Sequence, residues 1–358
     1  MIPLFGHSAL QRRIQAAADR GALPASLLLH GPAGIGKQRL ALWLAQRLLC
    51  AGPDGGPRPC GACQHCRYTE AGTHPDLHWI FPRPRLKDSD ADAAAVNADY
   101  GDAIAERMEA HGLYAPPAGT EGIYVATVRA IVQAASMAPA LAARKVFVIG
   151  DAERMVSQEG ADQAANAFLK LLEEPPANTN LILTSSEPGA LLPTIRSRSV
   201  AMRVARLTDA EVGAFLDHEL VRARLDELSL PKGRDERLRI ANGAPGALLA
   251  QSAFGEALDR ARRMLDAAVS GDRATRMQVA FVQGSARARG SFSDSLDALT
   301  VLLNQRVRTA VDRSDAAAAV NAARAADAVE RAKERAAGNA NPQLVTFTLL
   351  GELGATLR

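Results

Sequence analysis

Apolar positions along the chain follow two rhythms. Short unbroken runs occur at 26–30 (SLLLH), 76–81 (DLHWIF), 145–150 (KVFVIG), 181–186 (LILTSS) and 199–204 (SVAMRV). Their length and their content of leucine, valine and isoleucine predict strands. Helical spacing fills much of the space between, at 37–49, 124–137 and 161–173. In the last, Ala165, Phe168, Leu169 and Leu172 fall at i, i+3, i+4 and i+7. Strands alternating with helices predict a parallel sheet covered on both faces. After about residue 205 the strand signals stop. LTDAEVGAFLDHEL (207–220) opens on Thr208 with Glu211 three residues later, a capping-box pattern. ANGAPGALLA (241–250) is a Gly/Pro turn entering a helix. From 251 to 358 the pattern is helical, with 315–337 rich in alanine and alternating charges. The expected organisation is an α/β domain over 1–205, a small helical domain over 206–250 and an all-helical domain over 251–358. Residues 82–121 break the rhythm. Between Asp88 and Glu121 eight acidic residues accompany one basic residue, Arg107, which predicts an acidic, Ala-rich surface insertion helical around 102–111.

Composition narrows this picture. Aromatic residues make up only 4% of the chain, so the core is expected to consist of Leu, Val, Ile and Ala. A formal net charge of +3 is too small to point to nucleic-acid binding by itself. There is no basic n-region ahead of an apolar run at the N-terminus, and no stretch of about 18 uninterrupted apolar residues. Neither a signal peptide nor a membrane span is expected, and the chain reads as cytoplasmic.

The first apolar run feeds into LHGPAGIGKQRLA (29–41). Gly31, Gly34, Gly36 and Lys37 have the spacing of a phosphate-binding P-loop, in the strand–loop–helix context such a loop requires. The next residue should carry a hydroxyl to ligate Mg²⁺, and here it is Gln38. An ATPase also needs an acid at the end of a second strand. After Val146–Ile149 the chain has Gly150 and then Asp151, one position late, where an extended strand would turn the side chain away. Phosphate binding by Lys37 and the loop amides stays open on these residues, whereas Mg²⁺ binding is not expected.

All four cysteines lie between 50 and 66. Cys50, Cys60, Cys63 and Cys66 are spaced C-x9-C-x2-C-x2-C, which suits a closed, structural Zn²⁺ site. His65 is an alternative to Cys50 as the fourth ligand. Farther on, NAFLKLLEEPP (166–176) is a helix stopped by two prolines. TIRSRS (194–199) places Arg196 and Arg198 on a loop before a strand, where a guanidinium can serve a phosphate on another chain.

Taken together these pieces resemble the delta-prime family of bacterial DNA polymerase III clamp-loader subunits, divergent AAA+ proteins. LFGHSALQRRI, the degenerate P-loop, the four-cysteine module, GTHPDLHWI (72–80), LLEEPP, RSRS and NPQLVTFTLLGEL (341–353) carry the resemblance, which covers nearly all of the chain except 82–121. It implies an α/β AAA+ P-loop domain with an inserted zinc module (50–66), a small helical lid domain and a C-terminal helical collar. The family's Ser-Arg-Cys motif corresponds to Ser197, Arg198 and Ser199, and Arg198 is implied as an arginine finger reaching a neighbouring ATP site. Departures at Gln38, Gly150, Asp151 and the arginine-free GAPG turn (243–246) favour a non-hydrolysing stator over a tau/gamma motor. The implied assembly is a hetero-pentamer with tau/gamma and delta subunits, acting on the sliding clamp and primer-template DNA, with polymerase activity belonging to the assembly. The collar helices hold few large side chains and are expected to bury apolar surface against other subunits. A motor using Lys37 and Asp151, and a free-standing zinc-dependent DNA-binding protein, are the competing readings.

Overall fold

The computed structural model describes residues 1–53, 55–86, 88, 91–117, 121–155, 162–228, 230–269, 272–282, 289–337 and 340–357. The chain divides into two compact units, 1–116 with 122–249, and 250–358 with 117–121. The first contains α1 (Ser8–Asp19), β1 (Ser26–His30), α2 (Lys37–Leu49), α3 (Gln64–Glu70), β2 (Leu77–Ile80), α4 (Ala93–Glu109), α5 (Val125–Ser136) and β3 (Lys145–Ile149). A 3₁₀ turn (Ala152–Arg154) follows, then α6 (Asp162–Glu173), β4 (Thr179–Ser185), α7 (Pro193–Ser197), β5 (Val200–Arg203), α8 (Asp209–Asp217), α9 (Glu219–Glu227) and α10 (Arg234–Ala241). Next come α11 (Gly246–Val269), α12 (Arg273–Phe281), α13 (Arg289–Asp312), α14 (Ala316–Ala337) and α15 (Pro342–Leu357). Among the described residues no helix is long and apolar enough to cross a membrane.

The five strands form one parallel sheet in the order β2-β3-β4-β1-β5. Its inner strands are apolar because helices cover both faces, and every residue of β3 and β4 is buried. Leu27, Leu29, Phe147, Val148, Ile182 and Leu183 lie at its centre. Thr208 and Glu211 form the capping box at the start of α8. Val212, Phe215 and Leu216 of α8, with Val221 and Leu225 of α9, join the same buried cluster as the sheet. The second unit has a buried core of its own. Leu296, Leu299 and Leu303 of α13 and Leu349, Leu350 and Leu353 of α15 are buried with Ala325, Ala328 and Ala332 of α14. α14 packs against both α13 and α15, and its small residues let the backbones approach closely.

The 82–121 stretch also differs from its reading as a surface loop with a short helix. Asp92 caps α4 by accepting the Ala95 N–H at 2.8 Å, and the helix runs 17 residues. Val96, Tyr100 and Ala103 are buried on one face, and the Tyr100 hydroxyl donates to the Phe81 carbonyl at 2.6 Å. This i, i+4, i+7 stripe is masked in the sequence by the surrounding alanines and acids.

The start of β3 is held by a single carboxylate. Asp76 is fully buried, and its oxygens accept the N–H groups of Ala140, Leu141 and Ala142 at 2.6, 2.7 and 2.6 Å. Its own N–H donates to Nδ1 of His74 at 3.0 Å. Lys145 fixes the same loop from the other side, donating to the carbonyls of Ala134 and Met137. Burial pushes the Asp76 carboxyl up, but the three backbone donors outweigh it and hold the group below the usual carboxylate range. Its stabilising contribution is therefore complete above the unfolded value near 3.9 and is lost as pH falls through the lower folded value. Asp76→Asn is expected to cost about 3 kcal/mol at neutral pH, measured by urea unfolding, with the gap to wild type narrowing below about pH 4.

Candidate functional site

Four groups of chemistry-bearing side chains in the first unit bear on function. The simplest is the cysteine cluster. α2 ends at Cys50, and Cys63 caps α3, so the two helix ends present three of the four thiols with Cys60 on the loop between. The four Sγ atoms all lie within 4.8 Å of one another, with Cys60–Cys66 and Cys50–Cys63 at 3.9 Å. Tetrahedral thiolates at about 2.3 Å from one ion would be about 3.8 Å apart, so the set fits a metal such as zinc. N–H groups of Gly52 and Cys60 point at the Cys50 sulfur, each at 3.3 Å. Backbone N–H groups of Cys63 and Ala62 draw the Cys60 thiol down to about 6. His65 is not part of the cluster. The four thiols group without it, and its Nδ1 lies 2.9 Å from Nε2 of His74.

The second group is the glycine loop. β1 delivers the chain into 31–36 and α2 starts at Lys37, as the motif requires. Lys37 is nevertheless turned back on its own loop. Its Nζ donates to the carbonyls of Gly31 (2.9 Å) and Pro32 (2.8 Å) and to Oγ of Ser186 (2.9 Å), which uses all three protons. The residue is 5% exposed, and burial holds its ammonium below the usual lysine range against the pull of Asp151 and Glu153. The loop is closed from outside as well. Gly34, at φ 74°, accepts the N–H of Gly246 at 2.9 Å, and a Cβ on Gly246 would overlap the backbone of Gly34. The turn that lacks an arginine thus presses backbone against the loop.

The third group is centred on Gln38. Its Oε1 accepts from Trp79 Nε1 (3.1 Å), the Tyr114 hydroxyl (3.2 Å) and Arg107 Nη1 (3.4 Å), while its Nε2 donates to Oδ2 of Asp151 at 2.8 Å. Donors at one end and a carboxylate at the other fix the orientation of the amide. Gly150 leaves the room for it, since a Cβ there would overlap the Gln38 side chain. Asp151 does not point away, as a continued strand would have it. The strand ends at Ile149, and Asp151 takes a left-handed conformation (φ 47°) that swings its carboxylate back to Gln38. Burial and Glu153 push its carboxyl up, and Lys37 and Arg107 pull it down. A divalent ion needs oxygen ligands with free lone pairs. Here the amide oxygen is saturated and the carboxylate faces an N–H, so these residues do not fit Mg²⁺. Sequence reasoning missed Trp79, Tyr114 and Arg107. Only the loss of two metal-associated groups together hinted that something else filled the space.

Arg196 lies in the last turn of α7, whereas Arg198 caps that helix in the short turn before β5, as its loop reading expected. Its Nε donates to Oε2 of Glu173 at 3.1 Å and its Nη1 to the Thr194 carbonyl at 3.2 Å. Glu173 is the last residue of α6, in the LLEEPP segment, so the two prolines that end this helix also set where the carboxylate meets the guanidinium. The Arg198 side chain keeps 30% of its surface exposed.

A family model described as "DNA polymerase III, delta subunit" matches residues 6–208. DNA polymerase III subunit delta' of Pseudomonas aeruginosa is 34% identical over 235 residues, which is 66% of this chain and 57% of that protein. The subunit delta' of Escherichia coli K12 is 30% identical over 225 residues, 63% of this chain and 53% of that protein. DNA polymerase III subunit tau of Salmonella typhimurium is 29% identical over 202 residues, 56% of this chain and 24% of that protein. The chain thus spans little more than half the length of these two delta' relatives.

The fit between Gln38 and Gly150 is testable by a double-mutant cycle. Gly150→Ala is expected to destabilise the chain by about 1–3 kcal/mol, because the amide it displaces is held at both ends. In a Gln38→Ala background the same change should cost less than half as much by urea unfolding.

Proposed function

The chain belongs to the DNA polymerase III delta-subunit family, and from that we propose that it is a delta-prime-type stator of a bacterial clamp loader, a subunit that assembles and does not hydrolyse ATP. The observation that carries the non-hydrolysing part is Lys37. All three of its protons go to protein oxygens, beside a glutamine whose amide fills the space a metal ion would need. Phosphoryl transfer relies on Mg²⁺ to neutralise the β- and γ-phosphate oxygens, and the described residues around Gln38 do not offer the oxygen ligands to hold one.

In this reading 206–250 is the lid and 251–358 the collar, joined in a hetero-pentamer with tau/gamma motors and a delta subunit in the cytoplasm. The sliding clamp and primer-template DNA are reached through the assembly. Zn²⁺ would be held by Cys50, Cys60, Cys63 and Cys66, where it supplies a closed tetrahedral cross-link and no open position for chemistry. Arg198 acts in trans on the ATP site of a neighbouring motor. Its planar fork suits phosphate oxygens, and Glu173 and Thr194 support it at the rim without covering it. Likeness to a tau subunit favours a second reading, a motor using Lys37 and Asp151. It would require Lys37 to leave three partners and Asp151 to leave Gln38.

Turnover by the isolated chain separates the two. No Mg·ATP hydrolysis above background is expected, and steady hydrolysis abolished by Lys37→Ala would restore the motor reading. Metal analysis of protein purified without chelator should give one zinc per chain, and Cys63→Ser should lower both that stoichiometry and the melting temperature. In the complex reconstituted with tau/gamma and delta, Arg198→Ala should leave assembly and zinc intact. It should lower turnover at its one site by roughly 10³, and that of the whole complex by less, since the other sites keep their own arginines. Unchanged DNA- and clamp-stimulated ATPase would remove the trans role from Arg198.

A further inference from the structure

The Arg198 guanidinium is held through part of its donor set. Nε donates to Oε2 of Glu173 at 3.1 Å, and Nη1 donates to the Thr194 carbonyl at 3.2 Å and to Oγ of Ser197 at 3.5 Å. Among the described residues nothing accepts from Nη2. Thr194 and Ser197 belong to α7, the helix that Arg198 caps, so of the three partners only Glu173 comes from another element. Both sides of that contact are anchored in the core. α6 is packed through Phe168 and Leu172, and the Leu172 carbonyl accepts the hydroxyl of Ser26, at the start of β1, at 2.9 Å. α7 is packed through Ile195, whose carbonyl accepts the Arg198 N–H at 3.2 Å and the Ser199 hydroxyl at 3.0 Å. Glu173 ends α6, where the helix dipole disfavours an anion, so the helix gains nothing from its charge.

Resting on the reading of Arg198 as a finger in trans, we propose that Glu173 is its positioning residue: it fixes Nε and leaves the Nη2 amino group to meet phosphate oxygens of the nucleotide on a neighbouring chain. A long arginine side chain loses much rotamer freedom when it is held in one geometry. Glu173 and the α7 backbone impose that loss before the subunits meet, so the finger is already oriented when the phosphate arrives. The pair is partly exposed, with 30% of the Arg198 and 56% of the Glu173 side chain open to solvent. An ion pair in that setting adds little to stability, so its effect is on orientation. The carboxylate also weakens the field of the guanidinium at the phosphate, a cost that the fixed geometry outweighs. Glu173 itself touches no nucleotide and moves no proton. It acts through the arginine.

The test is steady-state ATPase of the complex reconstituted with tau/gamma and delta, in the presence of clamp and primed DNA. The variants are Glu173→Ala, Glu173→Gln, Arg198→Ala and the Glu173→Ala, Arg198→Ala double variant. Zinc content, melting temperature and assembly are measured for each, and E173A should leave all three unchanged. E173A is expected to lower kcat by about half of the logarithmic loss seen in R198A, with KM for ATP unchanged, because the finger acts in the transition state. E173Q keeps an oxygen for Nε and should recover most of the lost turnover. In the R198A background E173A should cost nothing further, since residues that act as a unit are not additive. Turnover of E173A at or above wild type, with R198A impaired, would overturn the proposal and leave the finger in place. A loss from E173A that persists undiminished in the R198A background would also overturn it, as the mark of a defect in folding or in the interface. Normal turnover in R198A would remove the finger, and the positioning role with it.

Discussion

A primary amide bonded at both ends is a rigid spacer, and Gln38 is the one on which this site depends. Its oxygen collects three donors and its nitrogen holds a carboxylate, so rotation would cost several hydrogen bonds at once. The neighbouring features follow from its presence. Gly150 must lack a Cβ, and Asp151 must leave the strand in a left-handed turn. Trp79 of β2 and Tyr114 beyond α4 must turn their polar edges inward. Gln38 thereby joins the start of α2 to the end of β3 and to α4.

That joint is one of two polar anchors on the same strand. β3 is pinned at its start by Asp76, through the backbone of 140–142, and at its end by the Gln38–Asp151 pair. Both anchors place a carboxylate among hydrogen-bond donors in a poorly solvated setting. The environments act oppositely: three direct backbone N–H groups hold Asp76 low, while burial and a like charge hold Asp151 high. α2 extends the frame. It begins at the closed loop and ends at Cys50, and Gln46 near its end donates to the Cys66 carbonyl and to Glu70. The metal-binding candidate and the glycine loop therefore lie at the two ends of one helix. At the end of α7, Arg198 is braced by Glu173 of α6.

Much of this could be read from the chain. The parallel sheet was legible because its inner strands β1, β3 and β4 are buried and read as unbroken apolar runs. The cysteine cluster was legible because x2 spacers leave few geometries other than a shared centre. The P-loop was visible as a spacing, and its impairment as missing oxygen ligands. Local pattern determined each of these, because strand burial, knuckle spacing and loop glycines act over a few residues.

Tertiary structure decided what the impaired loop became. Nothing near Lys37 in sequence says that Ser186, 149 positions away, takes one of its protons, or that Gly246 seals Gly34. Asp151 was expected to face away because strand alternation was carried one residue too far, and a single left-handed residue reversed it. α4 was hidden because its three buried residues lie among alanines and acids, whose composition resembles a solvated loop. Arg107 looked like a stray charge in that segment until the fold set it against Phe81, Tyr114 and Gln38. Hydrogen bonds and cation–ring contacts depend on atoms meeting within a few ångströms, and the chain brings these atoms together from four separate stretches. The amino-acid sequence supplies the groups, and only packing determines which of them meet.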